Sequence, residues 1–381
     1  MLELIFPAPV SLERFRESPL APHLEAYATT VAAVGYTYSS IRPQLYLLND
    51  LGCWLARRNL AAAALNEAVI DAFIATRRRR KGRSDRATLR RFLDQLREGG
   101  VASPRVICDD NVPFGKLMRS YTSFLTKERG LTSAAVSSYT TFILRFLSER
   151  CPQESPRLDA VRASDVIAFV VQHAHSMSRK RSQLMSSALR SFCRFLLQKG
   201  LIAIDLAAAV PAVADWRQAT VPKFLSAAEI ERLLCACKAE RCQRDYAILL
   251  ILARLGLRAC EVVKMELGDI DWRAGEIIIR GKGRAFEKLP LPVDVGRALS
   301  AYIRNERPST PTRRVFIRVR APHFGFANSI AVCTIVSRAL RQAGVEAPVK
   351  GVSAHLFRHS LATRMLRSGA SLTEIGEVLR H

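Results

Sequence analysis

Two stretches of this chain carry the same helical pattern, and that repetition constrains the fold more than any other feature. Gly35-Tyr36-Thr37 is followed by Ile41, Leu45, Leu48 and Leu51 on one helical face. Gly130-Leu131-Thr132, about 95 residues later, is followed by Val136, Ile143 and Phe146 in matching places. Val69-Ile70-Asp71-Ala72-Phe73 is echoed by Asp165-Val166-Ile167-Ala168-Phe169. Leu89-Arg90-Arg91-Phe92 leading to Gly99-Gly100 is echoed by Leu189-Arg190-Ser191-Phe192 leading to Lys199-Gly200. Apolar residues recurring at three and four predict an amphipathic bundle of about four helices in each stretch. Val101 to Pro113, with Pro104, Asp109, Asp110 and Asn111, reads as a linker, and a second boundary falls around Pro211 to Pro222.

After Pro222 the pattern becomes mixed α/β. Ser226-Ala227-Ala228-Glu229 is a capping box that opens a helix through Ile230, Leu233 and Leu234. Asp245 to Leu255 predicts a buried helix stopped by Gly256, and Leu257-Arg258-Ala259-Cys260-Glu261 begins the next, with Val262, Val263 and Met265. Glu276-Ile277-Ile278-Ile279-Arg280, Gly281-Lys282-Gly283 and Lys288-Leu289-Pro290-Leu291-Pro292 read as strand, turn and returning edge strand. Ser353 can cap a helix running to Arg367 and closed by Gly369. The box Ser371-Leu372-Thr373-Glu374 starts a last helix, with Ile375, Val378 and Leu379 expected to pack inward and His381 beyond it. The expectation is a mainly α protein with a small β-hairpin or sheet near the C-terminus. Its predicted domains are 1–105, 114–210 and 222–381.

The balance of 58 Lys+Arg against 34 Asp+Glu leaves a formal charge of +24. Such a surplus points to a polyanion, above all nucleic acid, because each neutralised phosphate releases a condensed counterion. Basic runs recur at similar places in the two helical segments: Arg77-Arg78-Arg79-Arg80-Lys81 and Arg179-Lys180-Arg181. A basic run by itself is usually a solvated face, but its recurrence favours contacts with phosphates, which position a protein without reading sequence. The nine cysteines lack paired metal-ligand spacing, so Cys235, Cys237 and Cys242 read as apolar helix-face residues and no metal or cofactor is expected. Reduced thiols fit the cytoplasm. The start of the chain has no basic n-region, and its strongest apolar run, Tyr246 to Leu257, is broken by Arg254; neither a secretory signal nor a membrane partner is expected.

Taken singly, the polar residues of the last segment read plainly. Arg258 and Glu261 form a surface ion pair, Lys282 is a solvated turn, His355 is a surface residue, and His359 is a structural histidine satisfied within the domain. Taken together they can do more. Two guanidiniums and a lysine around one point cradle a phosphate, since arginine offers fixed bidentate donors and keeps its charge. Such donors stabilise charge on nonbridging oxygens during phosphoryl transfer, and an imidazole can move a proton there. His355 and Arg358, three apart on a helix, share a face.

In order and spacing, Leu257-Arg258-Ala259-Cys260-Glu261, Gly281-Lys282-Gly283, His355-Leu356-Phe357-Arg358-His359 and Leu379-Arg380-His381 resemble the motifs of the tyrosine recombinase (phage integrase) family. Ser360-Leu361-Ala362-Thr363 and Gly369 also fit. The two helical segments resemble that family's core-binding, SAM-like module. The resemblance implies that Arg258 and Arg358 hold the scissile phosphate, that Lys282 protonates the leaving 5′-oxygen, that His355 assists proton transfer and that His381 bonds to the phosphate. It also implies double-stranded DNA as partner, a 3′-phosphotyrosine intermediate and a synaptic tetramer of the full-length form, without ATP or metal. Phe357 and Arg380 stand where leucine and glycine are commoner. The family's tyrosine follows the last histidine, and nothing follows His381 here, so the expectation is a DNA-binding chain that forms no covalent adduct. The alternatives are a non-catalytic DNA-binding regulator competing for recombination sites and a type IB topoisomerase, against which the tandem helical modules argue.

Overall fold

The computed structural model describes residues 1–380 except 8, 17, 78–82, 105–113, 151–157, 215–223, 241, 282–285 and 347–353, with backbone alone at 9–11, 14 and 83. The chain divides into two compact units, Met1–Pro104 with Val221–His381, and Arg105–Thr220.

The N-terminal part of the first unit comprises α1 (Leu2–Ile5), α2 (Pro9–Arg16), α3 (Ala21–Ala33), α4 (Tyr38–Ala56), α5 (Glu67–Thr76) and α6 (Arg83–Glu98). The stripe foreseen on α4, Ile41, Leu45, Leu48 and Leu51, is buried against Leu24, Tyr27, Val31, Phe73 and Phe92. Asn66 caps α5, its side chain accepting from Val69 N at 3.0 Å. Gly35 turns the chain between α3 and α4 at φ +92°, and His323 from the C-terminal part of the same unit fills the space a Cβ would occupy. His323 N donates to Val34 O at 2.8 Å, which fastens that contact.

The second unit repeats the order: α7 (Gly115–Ser123) running into a π turn (Phe124–Glu128), α8 (Ser133–Arg150), α9 (Ala163–Ala174) and α10 (Arg179–Gln198). The echoed glycines all take positive φ, Gly35 with Gly130 before the second helix and Gly100 with Gly200 after the last. The sequence repeat therefore corresponds to α3–α6 and α7–α10, while α1 and α2 are additions with no counterpart in it. Tyr121, Phe146, Phe169, Phe192 and Phe195 form the aromatic centre of this unit's core.

The C-terminal part is built around α12 (Gln243–Leu255), whose residues Ala247 through Ala253 are all buried. A helix that is apolar all round must be enclosed. Packing against it are α11 (Ala227–Ala239), α14 (Val293–Asn305), α15 (Ile330–Gln342) and α16 (His355–Arg367). The foreseen capping box is present: Glu229 N donates to Ser226 Oγ at 3.2 Å, and Ser226 N to Glu229 Oε2 at 2.7 Å. Between α13 (Ala259–Lys264) and α14 lies an antiparallel sheet ordered β1 (Ile270–Asp271), β2 (Glu276–Arg280), β3 (Phe286–Pro290). Ile277 and Ile279 of β2 face the core, and the proline-bearing strand is at the edge as expected. The expected Gly281-Lys282-Gly283 turn falls mainly outside the described residues.

The last helix, α17 (Leu372–Leu379), starts at its Ser371–Glu374 box. Ile375 and Leu379 are buried, but Val378 is exposed, one position off the inward stripe. Helix α16 is preceded by Ala354 with no side-chain cap, and the expected cap at Ser353 lies outside the described residues. Two further readings are corrected. His359 is exposed rather than internal, and Cys235 is exposed rather than part of an apolar face.

Candidate phosphate-binding site

The site forms where α12 ends, α13 begins, and α16 and α17 pack over both. Gly256 terminates α12 in the left-handed conformation (φ 58°, ψ 29°), and two residues later Arg258 occupies the position before α13. A guanidinium has no acceptor, so only half of a capping box exists here. Glu261 Oε2 accepts from Arg258 N at 2.8 Å, while Oε1 accepts from Arg258 Nη1 at 2.8 Å. The pair expected at the surface is thus half-submerged: the Glu261 side chain is 4% exposed and that of Arg258 31%.

Arg358, one turn into α16, is buried. Its Nη1 donates to Gly256 O at 2.9 Å and its Nη2 to Leu379 O, so it satisfies carbonyls at the ends of α12 and α17 together. Arg258 Nη2 donates to the next carbonyl, Arg380 O, at 3.1 Å. Two guanidiniums 100 positions apart in sequence thus meet at the end of one helix. Burial, then the charges of Arg258 and Arg380, push the Arg358 pKa down to about 10, with Glu261 opposing. A phosphate diester entering here would relieve that electrostatic load.

His355 lies at the first position of α16, exposed on one side, its ring centroid 6.4 Å from that of His359. Partial burial, followed by His359, Arg358 and Arg258, lowers its pKa below the usual imidazole value. The ring is therefore neutral at pH 7 and able to accept a proton. Of the residues singled out from sequence, the structure brings Arg258, His355 and Arg358 together; Lys282 and His381 lie outside the described residues. The sequence reading missed the buried role of Glu261 and the involvement of Arg380. An acid three residues after Arg258 was the available signal for the first, and an arginine in a position favouring glycine for the second.

The basic runs are placed as follows. Arg77 follows α5, its Nη1 3.2 Å from Asp50 Oδ2 and its guanidinium 5.6 Å from the Phe73 ring, while Arg78, Arg79, Arg80 and Lys81 are outside the described residues. Arg179, Lys180 and Arg181 form the first turn of α10 and are all exposed, with Arg181 5.7 Å from the Phe142 ring. Cations at a helix N-terminus oppose its dipole, so this cluster does not serve helix stability. Among the described residues, no helix is long and apolar enough to cross a membrane.

Gly256 cannot be replaced without cost. A Cβ there would sit 2.9 Å from both Leu361 Cδ2 and Leu379 Cδ2. Left-handed backbone costs alanine about 1–2 kcal/mol, and overpacking adds about 1–3 kcal/mol. Gly256→Ala is expected to lower the urea midpoint accordingly; a loss below about 1 kcal/mol would mean that α16 and α17 give way instead.

Residues 223–381 match the phage integrase family model, and residues 118–200 match that of the phage integrase N-terminal SAM-like domain. The candidate integrase/recombinase y4rA of Sinorhizobium fredii is 38% identical over 379 residues, covering 98% of this chain and 91% of that protein. Tyrosine recombinase XerD of Mycobacterium tuberculosis (strain ATCC 25618 / H37Rv) is 29% identical over 283 residues, covering 69% and 88%. Among solved structures, a lambda integrase tetramer bound to a Holliday junction is similar in fold, with TM-score 0.54 at 18% identity, covering 79% of this chain and 85% of that one. The match at residues 223–381 and the SAM-like module at residues 118–200 define a tyrosine recombinase. The chain belongs to the phage integrase family.

Proposed function

We propose that this chain binds duplex DNA and that Arg258 and Arg358 grip a backbone phosphodiester for site-specific strand breakage and rejoining. The observation that carries this reading is the convergence of the two guanidiniums on the neighbouring carbonyls of Leu379 and Arg380, with the shared carboxylate of Glu261 beside them. Arginines so fixed present donors to nonbridging oxygens without reorganising. In the reaction, a tyrosine oxygen attacks phosphorus and the 5′-oxygen leaves, giving a 3′-phosphotyrosine. Neutral His355 takes the nucleophile's proton, Lys282 supplies the leaving group's proton, and His381 donates to the phosphate. The modules 1–105 and 114–210 each bind the duplex, Arg77 to Lys81 and Arg179 to Arg181 contacting phosphates, while 222–381 carries the chemistry. A tetramer on crossed duplexes is the working assembly, as in the lambda integrase structure just described.

A polypeptide of these 381 residues is expected to bind DNA without forming the covalent linkage. Tyr27, Tyr121 and Tyr302 are buried in cores, and none of the eight tyrosines stands in the motif context of the nucleophile. A nicked suicide duplex resolved on a denaturing gel provides the test. A protein-linked DNA band formed by this polypeptide would refute the expectation, and mapping the linked tyrosine would show which residue acts. Retarded duplex without such a band supports it.

A further inference from the structure

The pocket around Glu261 holds more positive charge than its buried carboxylate neutralises. Arg258, Arg358 and Arg380 gather there, and Glu287, the other acid in reach, is 44% exposed. Arg380 is the unusual member. It caps α17 in the left-handed conformation (φ 57°, ψ 60°), where a glycine would sit without strain. Its side chain is nonetheless 5% exposed. Nη2 donates to Glu261 Oε2 at 3.0 Å and Nε is 3.3 Å from Glu287 Oε2 on β3. Nη1 has no acceptor among the described residues, and Nε makes no well-aligned hydrogen bond. Buried guanidinium donors left open are costly unless an anion reaches them.

We propose that Arg380 is a positioning residue of the phosphate site, setting Arg258 through the shared carboxylate of Glu261 and through its own carbonyl oxygen, and leaving the cluster short of negative charge until a phosphate diester enters. The inference rests on the reading of Arg258 and Arg358 as phosphate ligands. The division of Glu261 is the core of the argument. Oε1 takes Arg258 Nη1, while Oε2 is shared between Arg258 N and Arg380 Nη2, so the carboxylate is held at both ends and Arg258 cannot swing. Without Arg380, Glu261 would serve Arg258 alone, and the pull on an incoming anion would weaken. Lysine would restore the charge but not the planar fork.

Orthophosphate is the probe. The rise in melting temperature with added phosphate reports affinity for the folded chain, and it is compared among the parent, R258A, R380G and R380K. R258A controls for general salt effects. R380G is expected to lose roughly tenfold or more in phosphate affinity, the scale of a charge-assisted hydrogen bond, and R380K to recover part of it. A purely structural arginine would change the melting temperature in phosphate-free buffer but leave the phosphate-induced rise intact; that result overturns the proposal. If R258A loses the response and R380G keeps it, the site reading stands and the role of Arg380 falls. If R258A keeps the response, the site reading fails and the proposal falls with it. Should R380G not fold, R380Q, which keeps a shorter polar side chain without charge, carries the same comparison.

Discussion

Glu261→Ala is expected to be among the most destabilising single substitutions in the C-terminal part of the chain. The Glu261 carboxylate receives Arg258 N, Arg258 Nη1 and Arg380 Nη2. Among the described residues, removing it leaves Arg380, 5% exposed, with only the longer contact to Glu287, and leaves the start of α13 uncapped. Breaking a buried ion pair from one side costs about 3–5 kcal/mol, because the surviving charge stays desolvated. For a domain of this size that is roughly 6–20 °C in melting temperature. The deficit should shrink in orthophosphate, since an anion in the pocket replaces part of the lost charge. A scan of the variant against the parent, with and without phosphate, decides the matter. A loss under about 1 kcal/mol would show that the guanidiniums rehydrate, and that the cluster is looser than its geometry implies.

The largest effect on binding is expected from replacing Arg179, Lys180 and Arg181 together with alanine. All are exposed on the first turn of α10, where their charges face the positive end of the helix dipole. Each phosphate contact contributes about 0.9 to the slope of log affinity against log salt, so losing three lowers the slope by about 2.7. At about 0.1 M salt this amounts to roughly two to three orders of magnitude in affinity. Stability should not fall, because removing cations from a helix N-terminus is neutral or favourable by about 0.3–1 kcal/mol each. Fluorescence anisotropy with a mixed-sequence duplex across a salt series measures the slope, and a melting curve checks the fold. An unchanged slope would remove this turn from the DNA interface.

The helices were legible because their signals are local. Ser226–Glu229 and Ser371–Glu374 mark starts by chemistry that depends on four consecutive residues, and the positive φ of Gly256 marks an end. The repeat was legible because α3–α6 and α7–α10 must each bury one stripe. What escaped was set by tertiary context. Strand β1 has two residues and no periodicity to read. Val378 neighbours the buried Leu379 yet points outward, a matter of where α17 rolls against α16. Glu261 three residues after Arg258 looks the same whether the pair is solvated or submerged, and only the covering α17 decides it. His359 lies one turn beyond His355 on the same outward face of α16, which sequence spacing could have suggested and its single reading did not. At the site, motif order identified Arg258 and Arg358, whereas the carbonyls of Gly256, Leu379 and Arg380 that fix them carry no sequence signature at all.

The guanidinium of Arg358 joins the last carbonyls of two helices, and this has a thermodynamic corollary. Helix α17 has only eight residues, too few to hold its shape in isolation, so its order depends on that clamp and on Ile375 and Leu379 beneath it. Docking of the segment and readiness of the pocket are therefore two readings of one equilibrium. By linkage, whatever loosens the segment weakens the hold on an anion, and an anion in place tightens the segment by the same free energy.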